Sequence, residues 1–165
     1  TSDLTGSHVV SDQPVSVMSG SRCTNVPEGI TACDHLVEHI PPILTWGLKF
    51  VTVPLAMRKG GDIFRIIASE DDTEVDVAGL NSRTLDAGEW WELDIPSDEY
   101  RLVTSSAPIM LVQYSKGKDA DGVNSDPFMM YVPPNEQFAA DYTFGTVDSP
   151  SSPYTSFVNV IINGA

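Results

Sequence analysis

Short runs in which apolar residues alternate with polar ones dominate the chain, and such runs predict β-strands. Thr73–Val77 shows the pattern clearly, because Val75 and Val77 fall on one face and Glu74 and Asp76 on the other. Further runs rich in β-branched and aromatic residues lie at residues 9–10, 15–18, 50–53, 63–67, 90–93, 101–104, 109–114 and 157–162. Twelve glycines and twelve prolines leave no long helical window, and the best helix candidates are a turn or two near residues 34–39 and 136–140. The pattern predicts an all-β fold, specifically a β-sandwich.

An internal repeat divides these predicted strands into two sets. Residues 9–22 align without gaps on residues 103–116 at an offset of 94. An Ile-Pro-Pro at residues 40–42 matches a Val-Pro-Pro at residues 132–134 at an offset of 92, and Trp46 and Phe50 then match Phe138 and Tyr142. Residues 63–67 match residues 157–161 at 94 again. Because the matches arrive in order, we interpret the chain as two copies of one β unit.

The repeat predicts a first β unit at residues 1–100 and a second, truncated unit at residues 101–165. The first unit continues through two or three strands that have no counterpart in the second. Missing strands would leave an open sheet edge and an exposed apolar face, which is an aggregation hazard unless something covers it. We therefore expect that more protein follows this chain or that another chain completes it.

Composition narrows the classes of partner. With 23 acidic and 9 basic residues, the formal net charge is −14, a field that repels nucleic acid backbones and anionic lipid headgroups. No apolar run approaches the ~20 residues that a membrane-spanning helix needs. The sequence begins at Thr1 without a methionine, which indicates a piece of a longer, processed chain.

Two cysteines, Cys23 and Cys33, flank a polar stretch that contains Pro27 and Gly29. A disulfide closing this loop indicates an oxidising compartment, while the alternative is two free thiols in a cytosolic protein. We favour the disulfide, because the spacing does not match a redox pair and no second ligand pair supports a zinc site.

An acidic loop is the main metal candidate. Asp119, Asp121, Asn124 and Asp126 offer oxygen ligands at close spacing, and Asp-x-Asp-Gly resembles the start of a calcium loop. No bidentate glutamate follows at the EF-hand distance, so a solvated loop that turns at Gly122 is the alternative.

Aromatic and titratable residues outside this loop give further candidates. Trp90 and Trp91 are adjacent in a predicted strand and so face opposite sides, one toward the core and the other toward an interface with protein or glycan. His35 and His39 are four apart, but the pattern lacks the glutamate of a zinc-protease motif. Neither a nucleophile elbow nor a phosphate-binding loop is present, so we expect no active site.

Several stretches carry a resemblance to a known family. They include Asp-Leu-Thr-Gly-Ser-His-Val-Val-Ser-Asp-Gln-Pro from Asp3, Cys-Asp-His-Leu-Val-Glu-His-Ile-Pro-Pro from Cys33, Gly-Asp-Ile-Phe-Arg-Ile-Ile-Ala-Ser-Glu-Asp from Gly61, and Val-Pro-Pro-Asn-Glu-Gln-Phe from Val132. Over almost its whole length the chain resembles the N-terminal domain family of the IgG-Fc-binding mucus protein. The resemblance implies a secreted, disulfide-containing, multidomain protein of mucus, cell surfaces or adhesive assemblies, and it transfers no catalytic residue and no Fc-contact motif.

The function we expect is therefore a non-enzymatic extracellular adhesion or binding module without a required cofactor. Its expected partners are other proteins, with immunoglobulin Fc and copies of the same chain among the candidates. Three rivals remain open: a polymer subunit completed by strand pairing between chains, a calcium-dependent glycan-binding domain that uses the loop from Asp119 to Asp126, and a hydrolase.

Overall fold

The computed structural model describes residues 3–147 and 155–162. The regular elements are nine strands, one short helix and two 3-10 turns in the described part of the chain. The strands are β1 (Val17–Thr24), β2 (Asp34–Ile40), β3 (Gly47–Thr52), β4 (Asp62–Ala68), β5 (Thr73–Val77), β6 (Arg83–Leu85), β7 (Trp90–Ile95), β8 (Arg101–Ser115) and β9 (Met129–Val132). Helix α1 covers Lys118–Asp121, the first 3-10 turn Ile43–Thr45 and the second 3-10 turn Asn135–Gln137. The all-β class predicted from the sequence is confirmed.

Strand β8 organises a seven-stranded antiparallel sheet. Its first part, from Arg101 to Ser105, pairs with β3 and β5, and its second part, from Ile109 to Ser115, pairs with β4 and β9. Strand β6 extends the sheet beyond β5, and β7 extends it beyond β4. A single strand of fifteen residues therefore joins four neighbours, two along each part of its length.

One face of this sheet carries the main core. The alternation of β5 is realised, since Val75 and Val77 are fully buried while Glu74 and Asp76 are exposed. The core residues come from every strand between β3 and β9: Phe50, Phe64, Ile66, Ala68, Val75, Val77, Leu85, Leu93, Ile95, Val103, Ile109, Leu111 and Val132. Strands that pair with either part of β8 contribute side chains to this cluster, so the main core is one continuous apolar interior.

The opposite face of β4, β8 and β9 is covered by the hairpin of β1 and β2. Val26 and Leu36 from the hairpin are buried with residues of the sheet, namely Ile63, Ile67, Met110, Val112 and Met129. The hairpin thus forms a second layer on the sheet. Successive side chains of β4 point alternately toward this layer and toward the main core.

The predicted disulfide is confirmed. Cys23 and Cys33 are bonded with their Cα atoms 5.1 Å apart, and they close the loop between β1 and β2. The same loop is held to the sheet, because the Gly117 N–H donates to the Val26 carbonyl at 2.8 Å. A covalent bond and a hydrogen bond therefore fix the tip of the hairpin.

Four local predictions differ from the structure. Residues 34–39 form β2 rather than a helix, since Leu36 and Ile40 lie on the buried side and every residue of β2 pairs with β1 or flanks a pair that does. Of the turn or two of helix predicted near residues 136–140, the structure has one 3-10 turn, Asn135–Gln137. Residues 9–10 and 157–162, predicted as strands, have no strand partner in the described structure. Pairing between distant segments decided these outcomes, and local propensity does not report it.

The repeat and the unit boundaries at residues 1–100 and 101–165 stay predictions. The structure shows that β8, which begins the predicted second unit, pairs with β3, β4 and β5 of the predicted first unit.

Candidate functional site

The two adjacent tryptophans of β7 lie on opposite faces. Trp91 packs against the main core, whereas Trp90 is 37% exposed on the outer face. Strand β7 pairs only with β4 among the described strands, so Trp90 stands near the edge of the sheet. An exposed, positioned tryptophan is the kind of side chain that dominates binding energy at protein interfaces.

Arg65 holds the Trp90 ring in place. Arg65 lies on β4 directly opposite Glu92 of β7, and its guanidinium carbon sits 4.3 Å from the centroid of Trp90 and 5.7 Å from that of Tyr114. Its Nε donates to a Glu92 carboxylate oxygen at 2.7 Å. A cation stacked on an aromatic face contributes about 0.5–2 kcal/mol, depending on how far it is desolvated. The ring orientation of Trp90 is therefore set before any partner arrives.

The N-terminal segment completes the cluster. The Arg65 Nη1 donates to the Asp3 carboxylate at 2.7 Å and to the Thr5 hydroxyl at 2.8 Å. Burial opposes ionisation of Asp3, yet hydrogen bonds from Thr5 and the charge of Arg65 hold the pKa of this carboxyl below its usual value. Burial likewise opposes the charge on Arg65, but Glu92 and Asp3 raise the pKa of its guanidinium. Both groups stay ionised across the physiological range.

A close backbone contact positions this segment. A Cβ built on Gly6 would lie 2.0 Å from the Gly88 carbonyl oxygen, and both glycines have positive φ angles of 87° and 80°. Only glycine fits such an approach without displacing backbone. The contact places Thr5 beside the turn that leads into β7.

An open cleft of about 490 Å³ lies beside Trp90. Its lining residues combine one aromatic ring with charged and hydroxyl groups: Thr5, Arg83, Thr84, Leu85, Gly88, Glu89 and Trp90. An aromatic anchor with a polar rim is the usual anatomy of a protein-binding patch. We call these seven residues together with Arg65 the Trp90 cleft.

The acidic loop has a structural role at Asp121. This residue is 2% exposed, and one of its carboxylate oxygens accepts hydrogen bonds from the Lys59 N–H at 2.8 Å and the Gly60 N–H at 2.7 Å. The other oxygen pairs with the Arg58 guanidinium at 3.0 Å. Burial would raise the pKa of Asp121, but the N–H groups of Gly60 and Lys59 and the Arg58 guanidinium bring it below its usual value. The carboxylate is therefore committed to holding the turn that precedes β4.

The other members of the calcium candidate are exposed. Asp119 lies on α1, and Asn124 and Asp126 follow it in the loop. Within residues 3–147 and 155–162, no group of three or more His, Cys, Asp and Glu side chains is arranged to hold a metal ion. His35 and His39 are exposed on β2, where His39 Nε2 lies 3.1 Å from the Ser16 hydroxyl. The calcium site stays a prediction that the geometry of Asp121 does not favour.

A second buried carboxylate, Asp62, is less well satisfied. Its Oδ2 accepts from the Leu55 N–H at 2.8 Å and the Gln113 amide at 3.0 Å, while Oδ1 has no hydrogen-bond partner in the part of the chain that the structure describes. Burial raises the pKa of Asp62 despite these hydrogen bonds and the nearby charge of Arg58. The neighbouring carboxyl groups of Asp62 and Asp121 thus have pKa values shifted in opposite directions, upward for Asp62 and downward for Asp121.

The sequence placed Trp90 and Trp91 on opposite faces without indicating which of them is exposed, and it gave no indication that Arg65 contacts Trp90. The signal for Arg65 was its position as the one charged residue in the otherwise apolar run Ile-Phe-Arg-Ile-Ile within β4. Its partner Asp3 lies 62 positions away along the chain, a separation that no local pattern reports.

These features define a class of protein, an all-β, disulfide-linked domain that presents an open aromatic surface. The chain belongs to the IgGFc-binding protein family, because the family profile described as “IgGFc binding protein” matches residues 1–165. The human IgGFc-binding protein is 27% identical over 147 residues, which cover 88% of this chain and 3% of that protein. This chain therefore spans a small part of the curated relative that it matches. No solved structure matches it.

Two further observations bear on the setting of the domain. None of the helices formed by the described residues has the length and apolar character needed to cross a bilayer. The Cys23–Cys33 bond is of the kind that persists in oxidising environments such as the extracellular space.

Proposed function

We propose that this chain is a non-enzymatic adhesion or binding module of a secreted or cell-surface multidomain protein. It acts by protein–protein contacts in mucus, matrix or another extracellular assembly. The family is a binding family rather than an enzymatic one, and the disulfide suits an extracellular setting. Trp90 supports a location for the binding surface, because its side chain is partly exposed and is held by Arg65 beside an open cleft.

The Trp90 cleft suits a protein surface better than a small ligand. It is open rather than enclosed, whereas small-molecule sites bury most of the ligand. Glu89 and Glu92 flank the ring in sequence, and the Arg65 cation lies over it, so a partner would bury an aromatic anchor within a charged rim. The relative named IgGFc-binding protein makes the immunoglobulin G Fc fragment the first partner to test.

The test is a titration of the Fc fragment against the immobilised protein, with Trp90→Ala as the decisive variant. Truncating a central tryptophan anchor costs about 2 kcal/mol or more, so we expect at least a tenfold loss of affinity. Leu44→Ala is the matched control, because Leu44 is 97% exposed and lies outside the Trp90 cleft. We expect it to bind as the natural chain does.

Two results would count against this proposal. Absence of Fc binding by the natural, disulfide-bonded protein would remove Fc as the partner. Binding that is equal in Trp90→Ala and Leu44→Ala would place the interface elsewhere. Circular dichroism of both variants shows whether a loss of binding comes from the surface or from unfolding.

A further inference from the structure

Two hairpins in this chain have the same pairing register. Adding 94 to each residue number in β1 and 92 to each in β2 converts four successive pairs of the first hairpin into four successive pairs of the second. The pairs are Val17↔Ile40, Met18↔His39, Ser19↔Glu38 and Gly20↔Val37 in one, and Leu111↔Val132, Val112↔Tyr131, Gln113↔Met130 and Tyr114↔Met129 in the other. The offsets are those at which the sequence repeats.

The chain also leaves each hairpin in the same way. Pro42 precedes the first 3-10 turn with φ and ψ of −64° and 150°, and Pro134 precedes the second with −70° and 156°. In both turns the residue after the 3-10 segment, Trp46 or Phe138, donates its N–H back into the turn. The likeness therefore extends beyond strand pairing to the exit of the chain.

The hairpins differ in what lies on their second edge. The second part of β8 has β9 on one edge and β4 on the other, and in the pairing with β4 Phe64 lies opposite Gln113. Strand β1 pairs with β2, and no strand among residues 3–147 and 155–162 occupies its other edge. The part of this edge from Val17 to Gly20 has no proline, no charged residue and a regular register, so it can accept an added strand; Arg22 and a register irregularity between Ser21 and Thr24 lie beyond it.

The counterpart of β4 exists in the chain but is unpaired. Adding 94 to Asp62–Ala68 gives residues 156–162, which the structure describes without strand partners. A 3.3 Å hydrogen bond joins the Asn159 side chain to the Pro54 carbonyl. Apart from Ile161, the described side chains of this segment are exposed, so moving it would sacrifice little packing.

The counterparts of the main core residues form a matching apolar set. Six buried positions of the main core correspond to six residues that are between 54% and 81% exposed. The correspondences are Val103 with Val9, Ile109 with Val15, Phe50 with Tyr142, Phe64 with Val158, Ile66 with Val160, and Ala68 with Ile162. Apolar and aromatic side chains recur at positions that are buried in one set and exposed in the other, which is what an unassembled second core would show.

We propose that residues 156–162 of this same chain pair with the free edge of β1, antiparallel and with Phe157 opposite Gly20, and so begin a second core like the first. The register follows from that of β4 on β8. The same chain supplies the strand because β4 already joins β8 within one chain, and an intramolecular strand pays no cost of association.

Engineered cysteines test the register directly. The proposal places Met18 opposite Asn159, so oxidation of the protein carrying Met18→Cys and Asn159→Cys is expected to give an intramolecular disulfide between these positions. Directly opposed residues of antiparallel strands have Cα separations that a disulfide can bridge. Met18→Cys with Val158→Cys is the control, because a shift of one residue points the two side chains to opposite faces.

Peptide mapping under non-reducing conditions identifies the bond and checks that Cys23–Cys33 is intact. A bond between two chains would overturn the proposal in favour of a second copy as the strand donor. Equal yields for the two cysteine pairs, or no bond in either, would overturn it as well.

Hydrogen exchange on the natural protein provides a test that needs no variant. Amides of residues 156–162 are expected to exchange at least tenfold more slowly than in an unstructured peptide of the same sequence. Val160→Asp is expected to abolish that protection and to leave β4 and β8 unchanged. Unprotected amides in the natural protein would contradict the proposal. This test involves neither Trp90 nor Fc, so its outcome is independent of the proposed function.

Discussion

The hairpin of β8 and β9 and the hairpin of β1 and β2 share a register but not an environment. Most of β8 beyond Ile109 is buried, since it has strands on both edges and side chains packed on both faces. In β1 no residue is fully buried, since one edge and one face have no neighbour in the described structure. Pairing register is thus a local property of two strands, whereas burial and stability depend on the elements around them.

The loops of the two hairpins are anchored by different chemistry. The β1–β2 loop is closed by the Cys23–Cys33 bond, and the β8–β9 loop is tied down by the buried carboxylate of Asp121. The two hairpin loops are therefore both held in place, one by a covalent bond and the other by charge-assisted hydrogen bonds.

The largest expected effect is the difference in stability between a truncation in β8 and a truncation in β1. Leu111→Ala in β8 removes a fully buried side chain from the main core and should lower the free energy of unfolding by about 3–4 kcal/mol. Met18→Ala in β1 removes a side chain that is 72% exposed and should change it by less than about 0.5 kcal/mol. Urea unfolding of both variants measures the difference, and similar losses of stability would contradict the different burial of β8 and β1.

Breaking the polar anchor should cost nearly as much. Asp121→Asn removes the charge that pairs with Arg58 and one acceptor oxygen, and it leaves a buried guanidinium without its partner. We expect a loss of about 3 kcal/mol in the free energy of unfolding. Exposed Asp119→Asn is the matched control on the same helix and should be nearly neutral.

Breaking the covalent anchor should cost somewhat less and act locally. The double variant Cys23→Ser and Cys33→Ser releases a loop whose closure contributes about 2–3 kcal/mol in the chain-entropy model. Hydrogen exchange should show reduced protection in β1 and β2 with β8 and β9 little changed. A uniform loss of protection through the whole domain would show that the hairpin is not a separable layer.

The smallest expected effect is the pH dependence of the two neighbouring carboxylates. The folded pKa of Asp121 is lowered, so its contribution is present above its unfolded pKa near 4 and is lost as pH falls through the folded value. The folded pKa of Asp62 is raised, so its contribution is present at low pH and is lost as pH rises through the folded value.

Asparagine variants of the two residues test the direction of each pH dependence. As pH rises from about 3 to 7, the stability of Asp62→Asn relative to the natural protein should increase, while that of Asp121→Asn should decrease. Urea unfolding midpoints at several pH values give both slopes. Parallel slopes for the two variants would mean that the carboxylates respond to the same environment, contrary to their different hydrogen bonding.

Much of the buried sheet could be predicted from the sequence. Alternation identified β5, and enrichment in β-branched and aromatic residues identified β4 and β7. Trp90 and Trp91 were placed on opposite faces, because side-chain direction in a strand follows directly from residue parity. The spacing of Cys23 and Cys33 in a polar loop was enough to predict their bond.

Other features depend on contacts that local patterns do not contain. Strand β2 contains Asp34, two histidines and Glu38, a composition that does not favour a strand until β1 pairs with it. Pro108 suggests a break, yet β8 continues through it, because residues 106–108 lie between the two sets of strand pairs and the missing proline N–H removes no ladder hydrogen bond. The Trp90 cleft likewise depends on contacts of Arg65 with Asp3 and Thr5, which lie 62 and 60 positions away from it along the chain.

The Cys23–Cys33 bond also sets how the domain responds to mechanical load. The two cysteines are ten positions apart, and a fully extended segment of that length would span about 35 Å. The bond holds their Cα atoms 5.1 Å apart, so a pulling force can straighten the rest of β1 and β2 but cannot lengthen this loop. Under tension the tip of the hairpin would therefore behave as an inextensible link.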